Sequence, residues 1–224
     1  MTSLSLKVDI PDRFLFRFAV PCRFLEGLAR RKELPDECVL PNAEALEKPN
    51  ASRSGATLEV RAAWSTEGMA FQFSVQGKRK TLWCNPNRPD ESDRIELWLD
   101  TRNVRNVQRA TRFCHRFACI PTGWGRTGNE ATVLPLLISR AKQPPNDIPT
   151  GSILTHSRIR PDGYIMYVFF SAAALTGFDP KEFPEIGFNW ELSDRDMGLR
   201  TFSVGAPFPY AENPALWHTL TLTR

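Results

Sequence analysis

Apolar and polar positions alternate with a period of two along most of this chain. Helical spacing is confined to three short stretches, residues 25–31, 42–47 and 171–175. The alternation predicts strands over residues 14–20, 57–64, 69–75, 94–100, 113–120, 153–160, 164–170, 185–192, 201–204 and 217–222. Ser65-Thr66-Glu67-Gly68 and Pro161-Asp162-Gly163 carry the turn chemistry of hairpins, joining the second strand to the third and the sixth to the seventh. About ten short strands separated by Gly, Pro, Asn and Asp predict an all-β, antiparallel β-sandwich with long loops and short helical turns. Eighteen prolines suit it, because proline cannot donate to a ladder and collects in loops and at edges. Residues 42–55 and 140–149 have the composition of linkers, yet neither leaves enough strands on both sides for two cores. The expectation is therefore a single domain over residues 1–224.

Composition changes this picture little. The 224 residues are 42% hydrophobic and 24% charged, close to globular averages, and 29 Lys+Arg against 25 Asp+Glu leave a formal charge of +4. An excess of four over this length, spread along the chain, gives no nucleic-acid footprint. No apolar run reaches the roughly 18 residues of a membrane helix, and the opening residues are too polar for a secretory signal, so the expectation is a cytoplasmic chain with no membrane partner. Asn50-Ala51-Ser52 matches a glycosylation sequon and keeps an extracellular origin open. The five cysteines Cys22, Cys38, Cys84, Cys114 and Cys119 show no paired spacing and read as reduced thiols.

The strand over residues 94–100 carries the chemistry. Ile95, Leu97 and Leu99 form one face, and Arg94, Glu96, Trp98 and Asp100 form the other. A tryptophan among charges, opposite the core, is costly to leave in water and often stacks on something. Alternation in the neighbouring predicted strands adds Arg116, Asn189 and Glu191 to the same surface. A flat ring with planar hydrogen-bonding groups suits a pyranose, whose C–H face stacks while its hydroxyls meet Arg, Asn and carboxylates. The competing reading is that a loop of the same chain covers Trp98 and that the charges pair across strands.

The segments Ser92-Asp93-Arg94-Ile95-Glu96-Leu97-Trp98-Leu99-Asp100, His115-Arg116-Phe117 and Ile186-Gly187-Phe188-Asn189-Trp190-Glu191-Leu192-Ser193-Asp194-Arg195-Asp196, in that order, resemble the family 9 carbohydrate-binding modules and the wider DOMON-like group. The resemblance is strongest over residues 57–224. It implies a β-sandwich that binds a saccharide without turning it over, clamping the sugar between aromatic rings. By position it implies ligand-binding roles for Glu96, Arg116 and Glu191, and Trp83, Trp98 and Trp217 are the candidate rings. Glu191 stands where such modules usually carry an amide, and Ser193 where they carry Asn.

Other signals fit that frame or compete with it. Asp194-Arg195-Asp196-Met197-Gly198 has the alternating carboxylates of a calcium loop, which would make Asp194 and Asp196 ligands of a structural calcium; an ordinary turn explains the same residues. Neither Cys114, His115 and Cys119 for zinc nor His115, His156 and His218 for haem has ligand spacing, so no other cofactor is expected, and His115 is expected to satisfy a buried hydrogen bond from the inner face. No nucleophile elbow, phosphate loop or dinucleotide fingerprint is present. Glu96 and Glu191 facing one another keep open a glycoside hydrolase with paired carboxylates, and the aromatic face keeps open a protein-interaction sandwich. Arg94, Arg102, Arg105, Arg109, Arg112 and Arg116 fall near that face and would also suit an anionic sugar or another acidic ligand, although solvated loop arginines explain most of them equally well.

Overall fold

The computed structural model describes residues 18–41, 55–202, 204–205 and 208–224. Eleven strands are present among them: β1 Ala19–Phe24, β2 Thr57–Ser65, β3 Gly68–Gln76, β4 Arg94–Asp100, β5 Cys114–Trp124, β6 Glu130–Leu136, β7 Ile153–Arg160, β8 Gly163–Ser171, β9 Glu185–Asp194, β10 Gly198–Thr201 and β11 His218–Thr223. The helical stretches are single 3-10 turns, including Leu28–Arg30 and Ala172–Ala174 where the sequence suggested helix; residues 42–47 lie outside the described residues. The all-β expectation holds. Two strands differ from it: β6 was missed, because Pro135 and mixed polarity blur its alternation, and the strand expected at 201–204 runs instead over Gly198–Thr201 as the return arm of a tight hairpin with β9. Of the strand expected at 14–20, residues 14–17 lie outside the described residues, and β1 continues to Phe24.

The strands form one sheet in the order β6-β5-β4-β9-β11-β1-β2-β3-β8-β7, with β10 beside β9. Every pairing is antiparallel except those of β1, which runs parallel to both β11 and β2. The sheet folds over on itself until its two edge strands meet, where the Thr155 hydroxyl of β7 donates to the Ala131 carbonyl of β6 at 3.1 Å. Its inner faces supply the main core. Phe117 of β5 meets Phe170 of β8 with ring centroids 4.5 Å apart, and Phe71 of β3 stacks on Phe188 of β9 at 5.7 Å.

The hairpin into β8 depends on Gly163, whose φ is +157° and whose added Cβ would lie 2.0 Å from the Val75 carbonyl oxygen.

Both halves of the sheet carry a second apolar layer outside the core. Over β3 and β8, Leu28, Leu34 and Cys38 cover Ala70, Tyr167 and Phe169; Tyr167 donates to the Leu28 carbonyl at 2.6 Å, and the Leu34 amide donates to Gln72 at 2.7 Å. This is why β8 reads as apolar on both faces. His115 lies on the inner face of β5 as expected, stacks at 5.7 Å on Phe117 and has the Thr176 backbone as its polar neighbour. Burial holds its pKa down at about 4, with the Thr176 backbone pulling the other way. No described helix is long and apolar enough to cross a membrane.

Candidate functional site

The alternation of β4 turns Arg94, Glu96, Trp98 and Asp100 away from the core, and the ladder sets their neighbours. Glu96 pairs with Ala118 of β5 and Glu191 of β9; Trp98 pairs with Arg116 and Asn189; Arg94 pairs with Ser193. The five residues expected to share a surface are therefore brought together on the outer face of three adjacent strands.

Charge organises that face around Glu96, which is buried. Its Oε1 accepts from Arg94 Nε at 3.0 Å and lies 2.9 Å from an Arg94 Nη. Its Oε2 accepts from Arg116 Nε at 2.8 Å and lies 2.6 Å from an Arg116 Nη. Each guanidinium thus places two nitrogens on one carboxylate oxygen, so both oxygens of Glu96 carry charge-assisted hydrogen bonds. The side chains of Arg94 and Arg116 are 15% and 25% exposed, so each keeps a minor share of its surface in solvent while Glu96 anchors it. Arg94 also donates to the Asp90 carbonyl, and Arg116 lies over the Trp98 ring at 5.3 Å. Glu191, half-buried, accepts from the Tyr210 hydroxyl. Burial raises its pKa above the usual carboxylate value and the Glu96 charge adds to that, while the Tyr210 hydrogen bond and the two arginines oppose it.

The rings do not stand as the sequence suggested. Trp98 is 0% exposed, closed over by Ala110, Cys114, Ile138, Val204, Tyr210 and Trp217. Tyr210 meets it edge-on at 5.8 Å. Trp217 is 1% exposed and donates through its indole N–H to the Tyr210 carbonyl at 2.8 Å. Both indoles form an outer cluster of this chain's own making, so neither offers a face to a ligand. An indole opposite the core was covered by loops because two such rings bury far more apolar area together than either could in solvent. Asn189 is also fully buried. Trp83 differs: it is partly exposed at the Asp93 end of β4, with the Arg195 guanidinium 5.1 Å from its ring.

The donor set at Asp194 and Asp196 does not fit a calcium site. One oxygen of Asp194 accepts from the backbone of Asp196 and Met197 at 2.8 and 2.9 Å, and the other is bound by the Lys78 ammonium. Asp196 accepts from the Arg79 amide at 2.6 Å. Lys78 also reaches Asp93 at 3.0 Å, so a buried ammonium supplies the positive charge that the sequence assigned to a metal. No group of three or more metal-ligating side chains occurs among the described residues. Sequence reasoning missed Lys78, which lies in the run Gln76-Gly77-Lys78-Arg79-Lys80 and looks like one solvated charge among several.

No protein family's sequence profile matches this chain, and no curated protein does. Solved structures do. A family 9 carbohydrate-binding module from Caldicellulosiruptor kristjanssonii, in complex with cellotriose, is 13% identical and superposes with a TM-score of 0.62, covering 92% of this chain and 94% of its own. A structure of a family 9 module from the same organism, in complex with glucose, gives 0.59 at 13% identity over 92% and 96%. The chain has the fold of these modules, as its motifs suggested.

Proposed function

We propose that this chain is a non-catalytic carbohydrate-binding domain, one module in extent, whose ligand meets the outer face of β4, β5 and β9. Arg94, Arg116 and Glu191 make the hydrogen bonds, and Trp83 supplies an aromatic surface beside them. The observation that carries this reading is the pair of partly exposed guanidiniums held in register by buried Glu96. Such fixed planar donors bind sugar hydroxyls with little loss of side-chain freedom. The likeness of fold to modules crystallised with cellotriose and glucose supports it. In this reading Glu96 positions the arginines, and the buried Trp98 ring forms the floor beneath Arg116. Both oxygens of Glu96 are held by guanidinium nitrogens, which argues against a free acid–base pair with Glu191 and so against hydrolysis.

The test is titration calorimetry of the full chain with cellotriose and glucose, preceded by a glycan array. Binding is expected, with Arg116→Ala and Glu191→Gln each weakening it about tenfold or more; Arg116→Ala, which leaves buried Glu96 with one guanidinium, also lowers the melting temperature, whereas Glu191→Gln leaves it in place. Prolonged incubation should release no reducing ends. An array with no hits, or Arg116→Ala binding sugar as the wild type does, would overturn the reading.

A further inference from the structure

Three loops meet above the Trp98 cluster, and their outer surface forms a groove of about 520 Å³ lined by Gln108, Arg109, Arg140, Pro209, Glu212 and Asn213. None of these residues takes part in the Arg94–Glu96–Arg116 arrangement. The loops are tied down from below and from the side. Ala110, Ile138 and Tyr210, which flank the groove residues in sequence, are packed against Trp98 and Trp217. The Lys142 amide donates to the Ala110 carbonyl at 2.7 Å, and the Asn213 amide to the Pro209 carbonyl at 3.0 Å.

The two arginines are linked. Arg109 Nε donates to the Arg140 carbonyl at 2.9 Å, which fixes one residue against the other. Arg140 adopts φ +59°, a left-handed conformation that a residue with a Cβ rarely takes and that the surrounding contacts must hold. Their charges are lightly compensated: the one carboxylate lining the groove, Glu212, lies 3.9 Å from an Arg140 Nη, and that arginine side chain is 80% exposed. The groove therefore offers two guanidiniums, two side-chain amides and one carboxylate. Planar guanidiniums pair with acidic groups, while Gln108, Asn213 and Glu212 match hydroxyls. A carboxylate beside the arginines disfavours a densely charged phosphate ligand and leaves a polyhydroxylated one with isolated acidic groups.

We propose that this groove is a second saccharide site, selective for an acidic sugar bearing a carboxylate or a sulfate. The inference rests on the carbohydrate-binding reading and extends it to a class of ligand and to different residues. Arg109 and Arg140 hold the acidic group; Gln108, Glu212 and Asn213 read the neighbouring hydroxyls.

The experiment titrates the full chain, the double variant Arg109→Gln/Arg140→Gln and the variant Arg116→Ala with four probes: a galacturonate trimer, a sulfated galactose oligosaccharide, neutral cellotriose and inorganic sulfate. Each is measured in low and moderate salt. The double variant should weaken at least one acidic oligosaccharide about tenfold or more and leave cellotriose unchanged, whereas Arg116→Ala does the reverse. The acidic sugar's affinity should fall with salt, and whichever of the two acidic probes binds identifies the acidic group. Cellotriose binding with no preference for either acidic probe, or acidic binding that survives the double variant, refutes this site and leaves the first reading standing. Inorganic sulfate binding as tightly as the oligosaccharides refutes the sugar class. No binding of any probe refutes both readings together.

Discussion

Lys78, Asp93 and Asp194 form an ion cluster whose side chains are 1%, 0% and 0% exposed. Replacing Lys78 with Met keeps most of the side chain's volume and removes the one cation between two buried carboxylates. Breaking a buried ion pair from one side costs about 3–5 kcal/mol, because the partner charge is left uncompensated. Here four backbone amides share the load: Trp83 and Arg195 donate to Asp93 at 3.1 and 2.8 Å, and Asp196 and Met197 donate to Asp194. That cushioning points to the lower end, about 3 kcal/mol. For a chain of this size it corresponds to a melting point lower by about 6–12 °C. Calorimetry and guanidinium unfolding measure it. The second half of the test is Lys78→Met/Asp194→Asn, which deletes one of the two orphaned charges and should recover part of the loss. Lys78→Met melting within about 2 °C of the wild type, or the double variant melting below the single one, would refute the argument that charge compensation holds this end of the sandwich together.

Trp98→Ala is expected to act as a core truncation, costing about 3–5 kcal/mol in urea unfolding; unchanged stability with lost sugar binding would mean that the ring faces the ligand after all. For His115, a folded pKa of about 4 against an ordinary value of 6.5 means that the unfolded chain binds its proton first as the solution is acidified. Stability from this group is therefore complete above pH 6.5 and falls as pH drops toward 4, by about 3 kcal/mol. Asp100 and Glu191, both raised by burial, favour the folded state in acid and act in the opposite sense. The His115 contribution is accordingly read as the difference between wild type and His115→Leu, whose melting temperature should fall less steeply below pH 6.5.

Local pattern sufficed wherever one residue's neighbours decide its state. Strand β4, the hairpin at Ser65–Gly68 and the placing of Glu96, Arg116 and Glu191 on one surface all follow from alternation and turn chemistry. What covers that surface does not. Ala110, Ile138, Val204 and Tyr210 come from loops scattered over a hundred residues, each apolar position isolated and without period, so nothing in the chain announces a roof over Trp98. Lys78 illustrates the same limit. A lysine's partners 15 and 116 residues away are set by the sheet's long-range order, and only the folded chain shows it trapped between Asp93 and Asp194.

The central position of β11 has a kinetic consequence. It bridges β9 and β1, and with β1 it joins the two halves of the sheet, although these two strands come from opposite ends of the described residues. During synthesis, the Glu185–Phe188 part of β9 and one edge of β1 therefore wait without a partner strand until residues 218–223 leave the ribosome, and such edges recruit strands from other molecules. So many distant pairings make for slow closure. The chain is most prone to aggregate in the interval before its last strand slots in.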